Sequence, residues 1–252
     1  MTGAQATSLS LCAGSRGSKT LATIIARPDR NELPVQRRYT RVAITLHWAI
    51  AALIFYNLAS GLLRDFLPRG FFTFHISSGL TILALSLFRI VWRLTHKPPP
   101  MLPMQPWERW LAHGVHFLLY AAMLFVPWTG WVMISANPPA GSPGAAYVAQ
   151  QRAAAAAPSG EPARPPRAAP RFWGLAPVPM IAPVANLGSE AAGVPDQHAF
   201  REKMEGVHET VALMLLFLLF LHVGGALKHQ LIDREPELAR MGVGRRRPVE
   251  SE

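Results

Sequence analysis

One cysteine, Cys12, is all the thiol chemistry this chain possesses. A single thiol forms no intramolecular disulfide, no thiolate zinc site, no iron–sulfur cluster and no CxxCH attachment of a covalent haem. Any metal must therefore be held by His, carboxylate, Met or backbone, and nine histidines are available. Charge is scarce as well. Only 16 % of the 252 residues are Asp, Glu, Lys or Arg, and four long stretches almost lack them. Those stretches also lack a polar face: they are apolar all round, unlike the helices of a soluble domain. Each is ~20 residues or longer, enough to cross a hydrocarbon core of ~30 Å. The length would suit one or two soluble domains, but the apolar blocks exclude that reading. The expected fold is all-α, a transmembrane four-helix bundle.

The spans are expected at about 42–63, 71–94, 110–134 and 207–227. Pro127 lies inside the third, where its missing N–H predicts a kink. Arg89 and Arg93, near the end of the second, are long enough to reach the headgroups. Residues 1–38 contain only short apolar pieces, too short for a secretory signal, and are expected to form a disordered cytosolic extension. A long connection separates the third and fourth spans. Its first half, Pro138 to Pro170, is dominated by Pro and Ala, a composition expected to stay without fixed structure. This Ala/Pro-rich insert is bounded at 138–171. Residues 172–187 are expected to lie on the membrane surface, and 236–252 form a basic tail ending in Arg245-Arg246-Arg247.

Four spans put both termini on one side. That side carries 17 of the 25 Lys and Arg, so the positive-inside rule predicts that both termini are cytoplasmic. The formal net charge of +10 is thereby a topology signal, and no nucleic-acid partner is expected. Trp48, Trp92, Trp107 and Trp110 near the inner span ends, with Trp128 and Trp131 near an outer one, suit aromatic belts.

Ionisable residues inside a span are costly and mark function by default. His208 and His222 both lie on the fourth span. Their separation in sequence is ~21 Å along a helix with an angular offset of only ~40°, so one face offers two imidazoles near opposite membrane surfaces. His47 lies ~9 Å inside the first span, the depth of His222 from the same surface, and His75 matches His208 on the outer side. Two pairs follow: His47 with His222, and His75 with His208. Zinc ordinarily takes four ligands and finds no carboxylate or thiolate beside either pair. A haem iron takes two axial ligands and needs small residues beside its ring, which Gly61, Gly79, Gly206 and Gly224-Gly225 offer. Bis-imidazole ligation leaves no open position on iron, so such haems pass electrons. His116 lies at a depth resembling that of His47 and is an alternative ligand in place of His222. His113 reads as interfacial, and His96, His198 and His229 as solvated. Arg41, Arg69, Arg201 and Lys203, and less so Arg64, stand where cations could meet haem propionates.

The chain resembles the bacterial cytochrome b561 family, four-helix di-haem b membrane proteins related to the cytochrome b subunits of nickel–iron hydrogenases. The resemblance rests on Tyr39-Thr40-Arg41 leading to Leu46-His47-Trp48, on His75-Ile76-Ser77-Ser78-Gly79 and on Leu111-Ala112-His113-Gly114-Val115-His116. His208-Glu209-Thr210 and Leu221-His222 complete it. It covers about 36–235, the insert apart, within an expected domain of 39–235. It implies axial ligands at His47, His75, His208 and His222 and two haem b per chain in a multi-pass protein of the bacterial inner membrane. It also implies electron transfer between an outer-side donor, superoxide in some members, and the quinone pool of the respiratory chain. Other members are membrane anchors that exchange electrons with a hydrogenase or dehydrogenase partner protein. A haem-free carrier of metal ions is the reading from another class.

Overall fold

The computed structural model describes residues 39–101, 104–156, 170–234 and 237–244. The extension at 1–38 and residues 157–169 of the insert lie outside them, as do 245–252 of the tail.

Four helices are long and apolar enough to cross a membrane. Helix α1, Arg41–Leu62, starts where Thr40 Oγ1 accepts the Ala43 N–H at 3.2 Å, the hydroxyl cap a helix start requires. Helix α2 covers Arg69–Thr95. Helix α3 covers Pro106–Ser135, with Pro106 in the first turn and the Glu108 carboxylate accepting the Gln105 N–H at 3.1 Å. It runs through Pro127 without ending. A short helix α4, Pro143–Ala156, precedes a two-residue hairpin, β1 (Arg171–Phe172) and β2 (Ala176–Pro177), and helix α5, Ala182–Ala185. Helix α6, Val194–Leu231, is the fourth span, and α7, Glu237–Arg240, closes the described chain.

At 38 residues α6 is ~57 Å long, nearly twice the hydrocarbon thickness. The expected start near Val207 marks where the apolar run begins, whereas the helix itself begins well before it, at Val194. Its polar first turns stand clear of the apolar core and carry the loop-end cap. Gln197, only 2 % exposed, donates from Nε2 to the Val184 and Ala185 carbonyls at 3.0 and 2.9 Å.

The centre of the bundle is Ile50, Ile54, Ile82, Val115, Leu119, Met123, Leu215 and Leu218. Small hydroxyl residues, Ser77, Ser78, Ser86 and Thr129, are fully buried and let helix backbones approach. Large apolar side chains such as Phe55, Phe117 and Phe220 face outward at 60–75 % exposure, as a lipid-facing surface demands. Helices α1, α2 and α3 pack in sequence, and α6 packs on α3. No comparable backbone packing joins α6 to α1 or α2.

One expectation needs correction. The insert is not uniformly without structure: α4 forms within it, with Ser142 Oγ accepting the Ala145 N–H at 3.2 Å. Alanine is the strongest helix former, so an Ala-rich run forms a helix even where it buries little apolar surface. Residues 237–244, expected as tail, pack back on the bundle. Arg240 donates to the Pro100 carbonyl at 2.6 Å and lies over the Tyr39 ring, while Trp48 Nε1 donates to the Met241 carbonyl at 3.0 Å.

The cap is tightly built. Gly144 N–H donates to the Ser189 carbonyl at 2.8 Å, and a Cβ on Gly144 would fall on the Gly188 carbonyl oxygen. Gly144→Ala should therefore undock α4, at a cost of about 1–3 kcal/mol. Hydrogen exchange at 143–156 should accelerate while the spans stay protected; unchanged exchange there would contradict the docking.

Candidate functional site

The two histidine pairs come together at opposite ends of the bundle. Residues 39, 100 and 241 gather at one end, here the terminal end, and the cap covers the other, the loop end. At the terminal end the ring centroids of His47 (α1) and His222 (α6) are 6.2 Å apart at 66°. At the loop end those of His75 (α2) and His208 (α6) are 6.4 Å apart at 65°. These imidazoles bridge the space that α6 leaves beside α1 and α2. Two imidazoles bound on opposite sides of one metal at ~2.0–2.1 Å, each ring centre roughly 1.1 Å farther out, would stand ~6.3 Å apart. Both pairs have that spacing.

Each loop-end ring is oriented by a hydroxyl. Ser60 Oγ donates to the Asn57 carbonyl at 3.2 Å and lies 2.9 Å from His75 Nδ1. Thr129 Oγ1 donates to the Val126 carbonyl at 2.7 Å and lies 2.9 Å from His208 Nδ1. A hydroxyl has one proton; given to the carbonyl, it leaves the oxygen to accept from Nδ1–H. Both rings then hold the proton on Nδ1 and present the Nε2 lone pair, the form a metal needs. Neither Ser60 nor Thr129 stood out in the sequence, because buried Ser and Thr are common in helix interfaces.

Room beside the rings comes from glycine. A Cβ on Gly61 would lie 3.5 Å from His75 Cε1, and one on Gly130 would lie 3.3 Å from His208 Cε1. Gly130 was not among the glycines expected to give clearance. Gly206, Gly224 and Gly225 face open space, and Gly79 faces Asn57 Oδ1 at 3.7 Å.

The terminal-end pair is set differently. Arg89 does not extend to the headgroups but turns into the bundle. It donates to Tyr120 Oη at 3.3 Å and to the Ala43 carbonyl at 3.1 Å, and its Nη2 lies 3.4 Å from His47 Nδ1. The sequence signal for it was a cation inside an apolar run, which length alone could not separate from snorkelling. His116 directs Nδ1–H to the Ala112 carbonyl at 2.6 Å and lies 5.0 Å from His222, edge-on. That separation is shorter than the ~6.3 Å of two rings on opposite sides of one metal.

The remaining candidates disperse. Arg64 pairs with Glu205 at 3.3 Å, while Arg41, Arg201 and Lys203 form no ion pair among the described residues. The Arg69 side chain is outside the described residues. His113 hydrogen-bonds the Arg109 carbonyl, His96 stacks on Trp92, and His198 faces Glu202. At the terminal end Lys228 bridges Glu108 and Asp233 at 2.6 and 2.8 Å, and His229 also meets Asp233. The Lys228 hydrogen bond, more than any other contact, holds the Asp233 carboxyl below the usual carboxylate range. Among the described residues no group of three or more His, Cys, Asp or Glu converges as a metal site.

Residues 38–244 match the family model described as prokaryotic cytochrome b561. A protein of Escherichia coli named cytochrome b561 homolog 1 is 22 % identical over 211 residues, covering 81 % of this chain and 96 % of that protein. One of Yersinia pestis, named a probable superoxide oxidase CybB, is 31 % identical over 101 residues, 38 % of this chain and 57 % of its own length. A cytochrome b562 of Cereibacter sphaeroides is 35 % identical over 102 residues, 36 % of this chain and 63 % of that protein. The matched segments of the last two thus span less than two thirds of those relatives. The family match implies haem b and a bacterial membrane protein.

Removing the hydroxyls frees the loop-end rings to turn. Ser60→Ala and Thr129→Val should each weaken retention of a haem by ~10–100-fold, and Thr129→Ser should keep most of it. Transfer of haem to an excess of apomyoglobin measures this; wild-type retention in both variants would show that the hydroxyls do not orient the ligands.

Proposed function

Because this chain belongs to the prokaryotic cytochrome b561 family, we propose that it holds two haem b, one between His47 and His222 and one between His75 and His208. It carries electrons across the membrane between a donor at the loop end and the quinone pool. The observation that carries this reading is the pair of centroid spacings, 6.2 and 6.4 Å, at two depths of one helix. Haem b supplies reversible one-electron chemistry, and ligation by two imidazoles leaves no position for oxygen to bind iron. The protein's own contribution is to orient the rings, to exclude water from them and to set the charge around each. The excess of Lys and Arg on the terminal side supports a cytoplasmic terminal end, with the loop end facing outward.

His116 is the less suited partner for a haem, because its 5.0 Å approach to His222 is shorter than two rings on opposite sides of one iron require. A haem-free metal carrier finds no support in the convergence of ligands among the described residues. An anchor subunit serving a hydrogenase or dehydrogenase partner would use the same electron path, with the donor held by a separate protein.

The purified chain in mild detergent should contain two low-spin haem b, visible in the haem-to-chain ratio and the reduced-minus-oxidised spectrum. His47→Ala and His75→Ala should each abolish or perturb a different one. A chain that stays without haem under loading conditions would overturn the reading.

Superoxide is the favoured donor on one observation, the similarity to the protein named a probable superoxide oxidase. The anion would approach a loop end where Lys203 is exposed and Arg201 half-buried, neither in an ion pair among the described residues. Replacing both by Ser should lower the rate of superoxide consumption and flatten its dependence on salt. Unchanged kinetics in stopped-flow assays would exclude this steering.

A further inference from the structure

The two histidine pairs sit in different fields. At the loop end the groups on the rings are neutral, the hydroxyls of Ser60 and Thr129, and the nearby Arg64 is matched by Glu205. At the terminal end a full cation lies against the ligand ring, with Arg89 Nη2 3.4 Å from His47 Nδ1. Arg89 stands in the second-last turn of α2, ~9 Å inside its end. No ion pair among the described residues includes it. The acids that reach that end from α3 and the segment after α6, Glu108 and Asp233, are both taken by Lys228. Its partners are a phenol and a carbonyl, which hold the guanidinium in place without neutralising it. A charge kept inside a span at such cost is functional by default.

We infer that Arg89 is a positioning and tuning residue that raises the reduction potential of the terminal-end haem site above that of the loop-end site. This inference rests on the di-haem reading proposed above. Reduction lowers the charge of a haem site by one, and an adjacent uncompensated cation favours the reduced form. The arginine has only donors, so its contact requires His47 Nδ1 to accept. With Nε2 given to a metal, Nδ1 carries the proton, and the guanidinium stays beside the ring through Tyr120 and the Ala43 carbonyl. The charge remains local either way. Between the two sites one electron would pass from the haem held by the loop-end pair, which is oxidised, to the haem held by the terminal-end pair, which is reduced, with no bond or proton exchanged. The asymmetry makes that direction downhill, from a one-electron donor at the loop end toward a quinone acceptor.

Potentiometric titration of the haem-loaded protein tests this, with the two transitions assigned through His47→Ala and His75→Ala. In the wild type the terminal-end midpoint should be the higher. Arg89→Gln should lower it by the equivalent of at least about tenfold in the reduction equilibrium, about 59 mV for a one-electron couple, and leave the loop-end midpoint in place. Arg89→Lys, which keeps the charge, should restore most of the difference. A wild-type order that is reversed overturns the inference without recourse to any variant. Two bound haems with an unshifted terminal-end midpoint in Arg89→Gln overturn the role of Arg89 and leave the di-haem reading standing. Failure of the wild-type chain to bind haem overturns both.

Discussion

Imidazoles standing inside a hydrocarbon layer are the constraint around which the rest of this structure is arranged. A polar ring at that depth finds no water, so each must be given a partner by the protein. The loop-end rings receive hydroxyls from α1 and α3, and the His47 ring meets a guanidinium from α2. Three of the four spanning helices therefore contribute a partner to a ring on another helix. Helix α6 carries one ring of each pair and packs its backbone closely on α3 alone among the spans. The space beside α1 and α2 is left to the rings.

The hydroxyl contacts show how little chemistry is needed to choose a tautomer. Ser60 and Thr129 each direct their only proton to a carbonyl one turn back on their own helix, which turns the oxygen into an acceptor for the ring. The same side chains cost the bundle little, because small hydroxyl residues also permit close helix approach. Function and packing use the same atoms. At the terminal end, by contrast, Arg89 sets a cation beside the His47 ring.

The extramembrane parts bracket the bundle at both ends. At the loop end the hairpin turn, with positive φ at Trp173 and Gly174, brings Trp173 onto α2. There its N–H meets Ser77 Oγ at 2.9 Å and its Nε1 meets Thr81 Oγ1 at 3.1 Å. Ser135 Oγ accepts the Ile181 N–H at 3.0 Å, fastening the same segment to α3. At the terminal end α7 covers the start of α1. The membrane-facing surface is left to lipid, while side chains of the spans meet backbone groups of the cap, Ser77 and Ser135 accepting from it and Trp131 donating to the Pro179 carbonyl.

The four spans, their order and the depth of each histidine were written in the amino-acid sequence. Hydrocarbon thickness sets span length, and the fixed rise per residue of an α-helix converts position into depth. That arithmetic paired His75 with His208 and His47 with His222, leaving His116 as an alternative to His222, because two residues can meet only at a common depth. What lies beside each ring was not legible in that way. Depth along the axis leaves rotation about it open, so Ser60, Thr129 and Gly130 could not be told from other small residues of the spans. Arg89 likewise read as a residue bound for the headgroups until the neighbouring helices supplied Tyr120 and the Ala43 carbonyl as partners inside. The helix within the Ala/Pro-rich insert depended on a docking contact at Gly144, and the early start of α6 on a cap that buries Gln197. Position along each helix was thus local information, whereas the hydroxyl or guanidinium set against a ring was decided by tertiary packing.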